Sequence, residues 1–113
     1  MTIQISIPNN TPKTGIINLK KYLDKNGPGE SKFEIEHNDE VRGQQGVGDL
    51  LNSIQAIVAA GTQPLVALIH VLQTYVETFT TEITIGDIKL RPGRNFTPEQ
   101  IIALAEKIQQ KHG

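Results

Sequence analysis

The stretch from Leu65 to Val76 limits the fold more than any other part of the sequence. Apolar residues lie on nearly every side of its first two helical turns. A helix without a polar face must be covered all round, either by the rest of the chain or by a second copy of it. Proline is tolerated in a first turn, so the segment Thr62-Gln63-Pro64 suits the start of this helix.

A second apolar stretch comes directly before it. Its apolar residues have the i, i+3, i+4, i+7 spacing of a helix that begins at Gly48 or Asp49. They are Leu50, Leu51, Ile54, Ile57 and Val58. Gly61 is placed to end that helix, so the two stretches predict a central pair of apolar helices. One continuous helix with a kink near Pro64 is the alternative.

Two segments in the first third of the chain alternate apolar and polar residues, as half-buried strands do. The first contains Ile3, Ile5 and Ile7, and the second runs from Lys32 to Glu36. Between them a helix is predicted, capped by Thr14 and stopped near Gly27. Its apolar stripe consists of Ile16, Leu19 and Leu23. The strand, helix and strand predict a right-handed crossover between two parallel neighbours.

The segment from Thr81 to Arg91 carries the clearest local signal, a β-hairpin with a two-residue Gly86-Asp87 turn. This turn places all apolar pairs on one face, while Glu82 meets Arg91 on the other. The expected pairs are Ile85 with Ile88, Thr84 with Lys89, and Ile83 with Leu90.

The last predicted helix begins after Thr97, which acts as its N-cap with Pro98 as the first helical residue. Gln100 can complete a capping box, and Phe96 can pack onto Ile101 as a hydrophobic staple. One apolar stripe follows, formed by Ile101, Leu104, Ala105 and Ile108.

These elements follow the order β-α-β-α-α-β-β-α. They predict an α+β fold in which a small mixed sheet of about four strands packs on helices. The 113 residues fit a single domain, residues 1–113. The polar, glycine-rich stretch from His37 to Gly48 is expected to be the longest loop.

Composition excludes several classes of function. The net charge of −1 gives no global attraction to nucleic acid, and the five aromatic residues offer no platform for stacked bases. The absence of cysteine excludes disulfides, thiolate metal sites and a cysteine nucleophile. The first residues lack the pattern of a secretory signal, so a cytoplasmic location is expected.

Catalytic and metal-binding patterns are absent from the sequence. His37, His70 and His112 are far apart and lack the spacing that places two imidazoles on one metal ion. We therefore expect no catalytic, cofactor or metal site, and a small enzyme with an unrecognised site is one alternative.

A second alternative concerns membranes. The apolar span from Ile54 to Leu72 could form a membrane-inserting helical hairpin. Its polar residues, including Gln55, Gln63 and His70, would be costly to place in hydrocarbon, so membrane contact is not favoured.

A longer pattern combines two apolar segments separated by a glycine with a bulky aromatic and a following strand, Glu82 to Ile85. Its positions are Gly48, Leu51, Ile54, Val58, Gly61, Leu65, Leu68, Leu72, Tyr75 and Val76. This pattern resembles the first member of the effector-associated constant component family, small domains of prokaryotic conflict systems. The family commonly has Trp where this chain has Tyr75, and basic residues in place of Glu77 and Thr78.

The resemblance implies a non-enzymatic adaptor that works in bacterial immunity. Its partner would be an effector, such as a caspase-like or trypsin-like peptidase, or an NTPase-linked regulator. For the surface that contacts this partner we predict the end of the apolar helices, with cations at its rim. The predicted contact residues are His70, Tyr75, Phe79, Lys89, Arg91 and Arg94.

Overall fold

A computed structural model describes residues 1–8, 13–37 and 50–112. The chain has the predicted α+β fold, with the element order β-α-β-β-α-β-β-α. The described residues form five strands, which are β1 (Thr2–Ser6), β2 (Lys32–His37), β3 (Leu50–Ile57), β4 (Ile83–Ile85) and β5 (Ile88–Leu90). They also form three helices, α1 (Lys13–Asn26), α2 (Thr62–Phe79) and α3 (Pro98–His112).

The strands form one sheet in the order β2-β3-β1-β4-β5, and every pairing in it is antiparallel. The first six elements have the order and neighbours of a split β-α-β, or ferredoxin-like, arrangement, which β5 and α3 extend. The sheet thus has one strand more than the predicted number of about four, and it is antiparallel where a mixed sheet was predicted. The predicted pairing of the first two strands was wrong, because β3 lies between them.

The predicted first helix of the apolar pair is strand β3, at the centre of the sheet. Ile54, Ala56 and Val58 face the core with a period of two, whereas Ile57 is exposed on the other face. The i, i+3, i+4, i+7 pattern arose because apolar residues occur on both faces of this strand. Residues 50–79, which the structure describes without a gap, therefore form neither a central helix pair nor one kinked helix, and the membrane-inserting helical hairpin is not formed there.

Several predicted boundaries shift or lie outside the described residues. Gly61 precedes α2 rather than ending a helix, and its φ of 121° explains why glycine suits this position. Thr14 lies inside α1, which begins at Lys13. His37 belongs to β2, and the remainder of the predicted loop and the helix start at Gly48 or Asp49 lie outside the described residues.

Helix α2 is covered by the chain itself along its apolar side. Its buried residues pack on the sheet, while α1 contacts one flank through Tyr75 and α3 contacts the other through Thr62. The buried residues are Leu65, Leu68, Ile69, Leu72, Tyr75 and Val76. A narrow stripe that includes Ala67, His70 and Thr74 stays exposed, so this helix does not require a second copy as its cover.

The predicted hairpin is confirmed in register. Ile85 pairs with Ile88, Thr84 with Lys89, and Ile83 with Leu90. Beyond these pairs, the Arg91 guanidinium donates to a Glu82 carboxylate oxygen over 2.9 Å. Gly86 has a φ of 60°, which the tight turn requires, and its N–H donates to the Gln4 carbonyl of β1.

The predicted start of the last helix is confirmed as well. The Gln100 N–H donates to Thr97 Oγ1 over 3.2 Å, and the Thr97 N–H donates to Gln100 Oε1 over 2.9 Å. These two bonds form the reciprocal capping box. Phe96 packs against the core, which also contains Ile101 from the first turn of α3.

A steric prediction follows from the end of α1. A Cβ at Gly27 would lie 2.6 Å from the Leu23 carbonyl oxygen and 2.7 Å from the Phe33 ring. We expect Gly27→Ala to lower the free energy of unfolding by about 2 kcal/mol, because buried backbone and ring must shift. Gly29→Ala is the matched control, since nothing lies within 4 Å of its Cβ. Equal denaturant midpoints for the two variants would contradict the packing of Phe33 against this turn.

The capping box gives a second prediction. Thr97→Ala should lower the free energy of unfolding by about 1 kcal/mol, because the Gln100 N–H loses its acceptor. Thr97→Ser keeps the hydroxyl and should restore most of the loss. Urea denaturation followed by circular dichroism measures both, and an alanine variant as stable as the serine variant would disprove the cap.

Candidate functional site

Three aromatic side chains meet where α1 packs beside α2, and we call Tyr22, Tyr75 and Phe79 the aromatic cluster. The centroids of Tyr75 and Phe79 lie 4.5 Å apart. Tyr22 of α1 stands edge-on to both, at 5.1 Å from Tyr75 and 6.2 Å from Phe79. Edge-to-face pairs at these distances are favourable beyond the area that they bury.

Tyr75 is the buried member of the aromatic cluster, and a hydrogen bond holds it in place. Its side chain is only 4% exposed, and its hydroxyl oxygen accepts a hydrogen bond from Asn18 Nδ2 over 2.9 Å. Burial raises the pKa of Tyr75 above its usual value, and the Asn18 bond opposes this only in part. Tyr75 is therefore a neutral, positioned ring that supports the more exposed Phe79.

Phe79 is the exposed member of the aromatic cluster, with 47% of its surface accessible. It is the last residue of α2. Thr80 follows in a left-handed conformation with a φ of 50°, and its N–H donates to the Val76 carbonyl. The helix therefore stops directly after Phe79, and the chain turns toward β4.

The six predicted contact residues do not lie together in the structure. Tyr75 and Phe79 belong to the aromatic cluster, whereas His70 lies exposed on α2 nine residues before the helix ends. Lys89 is exposed on β5 and points away from the helices, because its neighbours Ile88 and Leu90 face the core. The predicted residues are thus spread over two faces of the domain.

The two arginines lie near the C-terminal end of α2. Arg91 pairs with Glu82, and the Arg94 N–H donates to the Arg91 carbonyl within the turn after β5. Glu77 of α2 holds this turn, because its carboxylate accepts from the Gly93 N–H over 2.6 Å. Both arginines are exposed.

Tyr22 is not among the contact residues that the sequence predicted. Sequence analysis had assigned the apolar stripe of α1 to Ile16, Leu19 and Leu23, which are buried as expected. Tyr22 lies beside that stripe on the flank that faces α2. Its position next to Leu23 was visible in the sequence, but its contact with Tyr75 depends on how two distant helices pack.

The sheet face away from the helices, here called the outer face, carries a separate polar network. The Glu36 carboxylate accepts from Gln4 Nε2 over 2.9 Å and from Ser53 Oγ over 2.6 Å. These bonds hold the pKa of Glu36 below its usual value, with Gln4 as the larger cause and burial in opposition. Ser53 itself is buried, although its side chain is polar. The two hydrogen bonds thus link the edge strand β2 to β1 through Gln4 and to β3 through Ser53.

The described residues contain no cluster of three or more His, Asp or Glu side chains that could hold a metal ion. In the same part of the chain, no helix has the length and apolar character needed to cross a bilayer.

Comparison with known proteins gives no relative: no family model, curated protein or solved structure matches this chain.

The Glu36 network predicts a pH dependence of stability. The folded state lowers this pKa, so Glu36 stabilises the fold above the ordinary carboxyl pKa of about 4.3. That contribution is lost as the pH falls through the lowered folded-state value. The free energy of unfolding of Glu36→Gln should therefore fall less than that of the natural chain on acidification. Glu34→Gln is the control, because Glu34 is exposed on the same strand. Identical acid profiles for the natural chain and Glu36→Gln would contradict the network.

Proposed function

We propose that this chain is a non-enzymatic adaptor, an interaction domain of a prokaryotic conflict or immunity system. It couples an effector, such as a caspase-like or trypsin-like peptidase, to a sensor or to an NTPase-linked regulator. The aromatic cluster is the observation that carries this proposal, because it presents a half-exposed phenylalanine on two ordered tyrosines.

Single exposed apolar residues are common on protein surfaces and need no function. Phe79 differs from Ile17, Ile57 and Ile102 because its ring packs on the rings of Tyr22 and Tyr75. Aromatic side chains that stand on a fixed base lose little conformational entropy on binding and are frequent anchors of protein interfaces. Covering the rest of Phe79 contributes about 1–2 kcal/mol.

The family resemblance supports the proposal through the second half of its pattern. Leu65, Leu68, Leu72, Tyr75 and Val76 lie on one helix, and the strand that contains Ile83 follows it in a hairpin. In the first half, Ile54 lies on strand β3 and Val58 directly follows that strand, so neither is helical, although both are buried as apolar positions of the pattern require.

Co-expression tests the proposal. The tagged chain would be produced together with the products of the genes beside its own. A peptidase or NTPase-linked regulator should remain bound through purification. Phe79→Ala should weaken that binding by about tenfold or more, as loss of an interface anchor does.

Ile102→Ala is the matched control, because Ile102 is 45% exposed on α3 and lies outside the aromatic cluster. It should bind as the natural chain does. Recovery of the chain alone, together with turnover of a screened metabolite that is lost in Glu34→Gln or His70→Ala, would reject the adaptor in favour of an enzyme.

A further inference from the structure

The surface beside the aromatic cluster has an unbalanced charge. Lys21 and Lys25 are exposed and stand four residues apart on α1, one turn from each other on the same face. Like charges at this spacing destabilise a helix. Among the described side chains, neither lysine has a carboxylate partner.

The nearby carboxylates are occupied elsewhere. Asp24 of α1 pairs with Lys20 over 2.6 Å, on the flank of the helix away from Tyr22. Glu77 of α2 accepts from the Gly93 N–H on the side of α2 that faces away from α1. Neither of these two carboxylates therefore forms an ion pair with Lys21 or Lys25.

On the α2 side, the same surface is uncharged and formed by small side chains. Ala67, Thr74 and Thr78 are exposed there, and all three side chains are small. The Thr74 hydroxyl donates to the His70 carbonyl of its own helix, so it does not project as a free polar group. An extended or helical segment can thus approach the junction of α1 and α2 closely.

From these features we propose that the junction of α1 and α2 binds an acidic polypeptide segment. Its Asp or Glu side chains pair with Lys21 and Lys25, and an aromatic or aliphatic anchor covers Phe79. This inference rests on the proposed function, and it names the chemistry of the partner and the surface that meets it. It assigns the positive charges of the interface to Lys21 and Lys25 of α1, in place of Lys89 and the two arginines.

A peptide selection tests this proposal. Short random peptides displayed on phage would be selected on the full chain, and the best one would be synthesised and titrated by fluorescence anisotropy. Selected sequences should be enriched in Asp and Glu beside Trp, Phe or Leu. The affinity should fall with added salt, because the lysine contacts are exposed.

Charge reversal locates the surface. The double variant Lys21→Glu/Lys25→Glu should weaken peptide binding by about tenfold or more, and Phe79→Ala should do the same. The control Lys32→Glu/Lys107→Glu makes the same change in net charge at two exposed lysines elsewhere and should bind normally. Thermal unfolding would confirm that all variants fold.

Several results would overturn the proposal. They are a selection without a specific or acidic sequence, normal binding by the Lys21→Glu/Lys25→Glu variant, a loss in the control variant, and equally tight binding of a single-stranded oligonucleotide.

The same experiments distinguish this proposal from the adaptor proposal. If no adjacent gene product is retained but the acidic peptides bind as expected, the binding surface is supported and the adaptor function is not. If a partner is retained by the charge-reversed variant, the adaptor function is supported and this binding surface is rejected.

Discussion

One row of isoleucines crosses all five strands, and the rest of the fold depends on it. Its members, in spatial order, are Ile35, Ile54, Ile5, Ile85 and Ile88. The three central ones are fully buried. Because side chains alternate along a strand, a slip by one residue in any pairing would turn that strand's isoleucine to the outer face. The row therefore fixes the register of the whole sheet.

The same register assigns different roles to the two faces of the sheet. The inner face is apolar and carries all three helices, whose buried residues belong to one core cluster. The outer face presents a polar row that includes Ser53, Ser6, Thr84 and Lys89. The aromatic cluster lies on the helical side, at the junction of α1 and α2. Lys89 and the aromatic cluster consequently cannot form one continuous surface, although sequence analysis had grouped them.

Local signals predicted the elements whose structure is decided locally. The hairpin and the capping box of α3 each depend on residues a few positions apart, and both were correct in detail. Strand β3 was not predictable in the same way. Ile57 is apolar yet exposed, and Ala56 is small yet fully buried, so its residues imitate a helix until its neighbours β1 and β2 are known. The contact of Tyr22 with Tyr75 was hidden for the same reason, since it depends on packing between distant segments.

Phe79 lies where the chain leaves helix α2 for the sheet. Strand β4 begins at Ile83, which pairs with Leu90, and three residues separate it from the end of α2. Thr80 makes this turn possible in a left-handed conformation that costs a β-branched residue about 1–2 kcal/mol. The ring of Phe79 therefore lies at the end of the helix, where one side of it packs against Tyr22 and Tyr75. No other described residue covers the rest of the ring fully. The turn that carries the chain from α2 to the sheet thus also places the surface for which a partner is proposed.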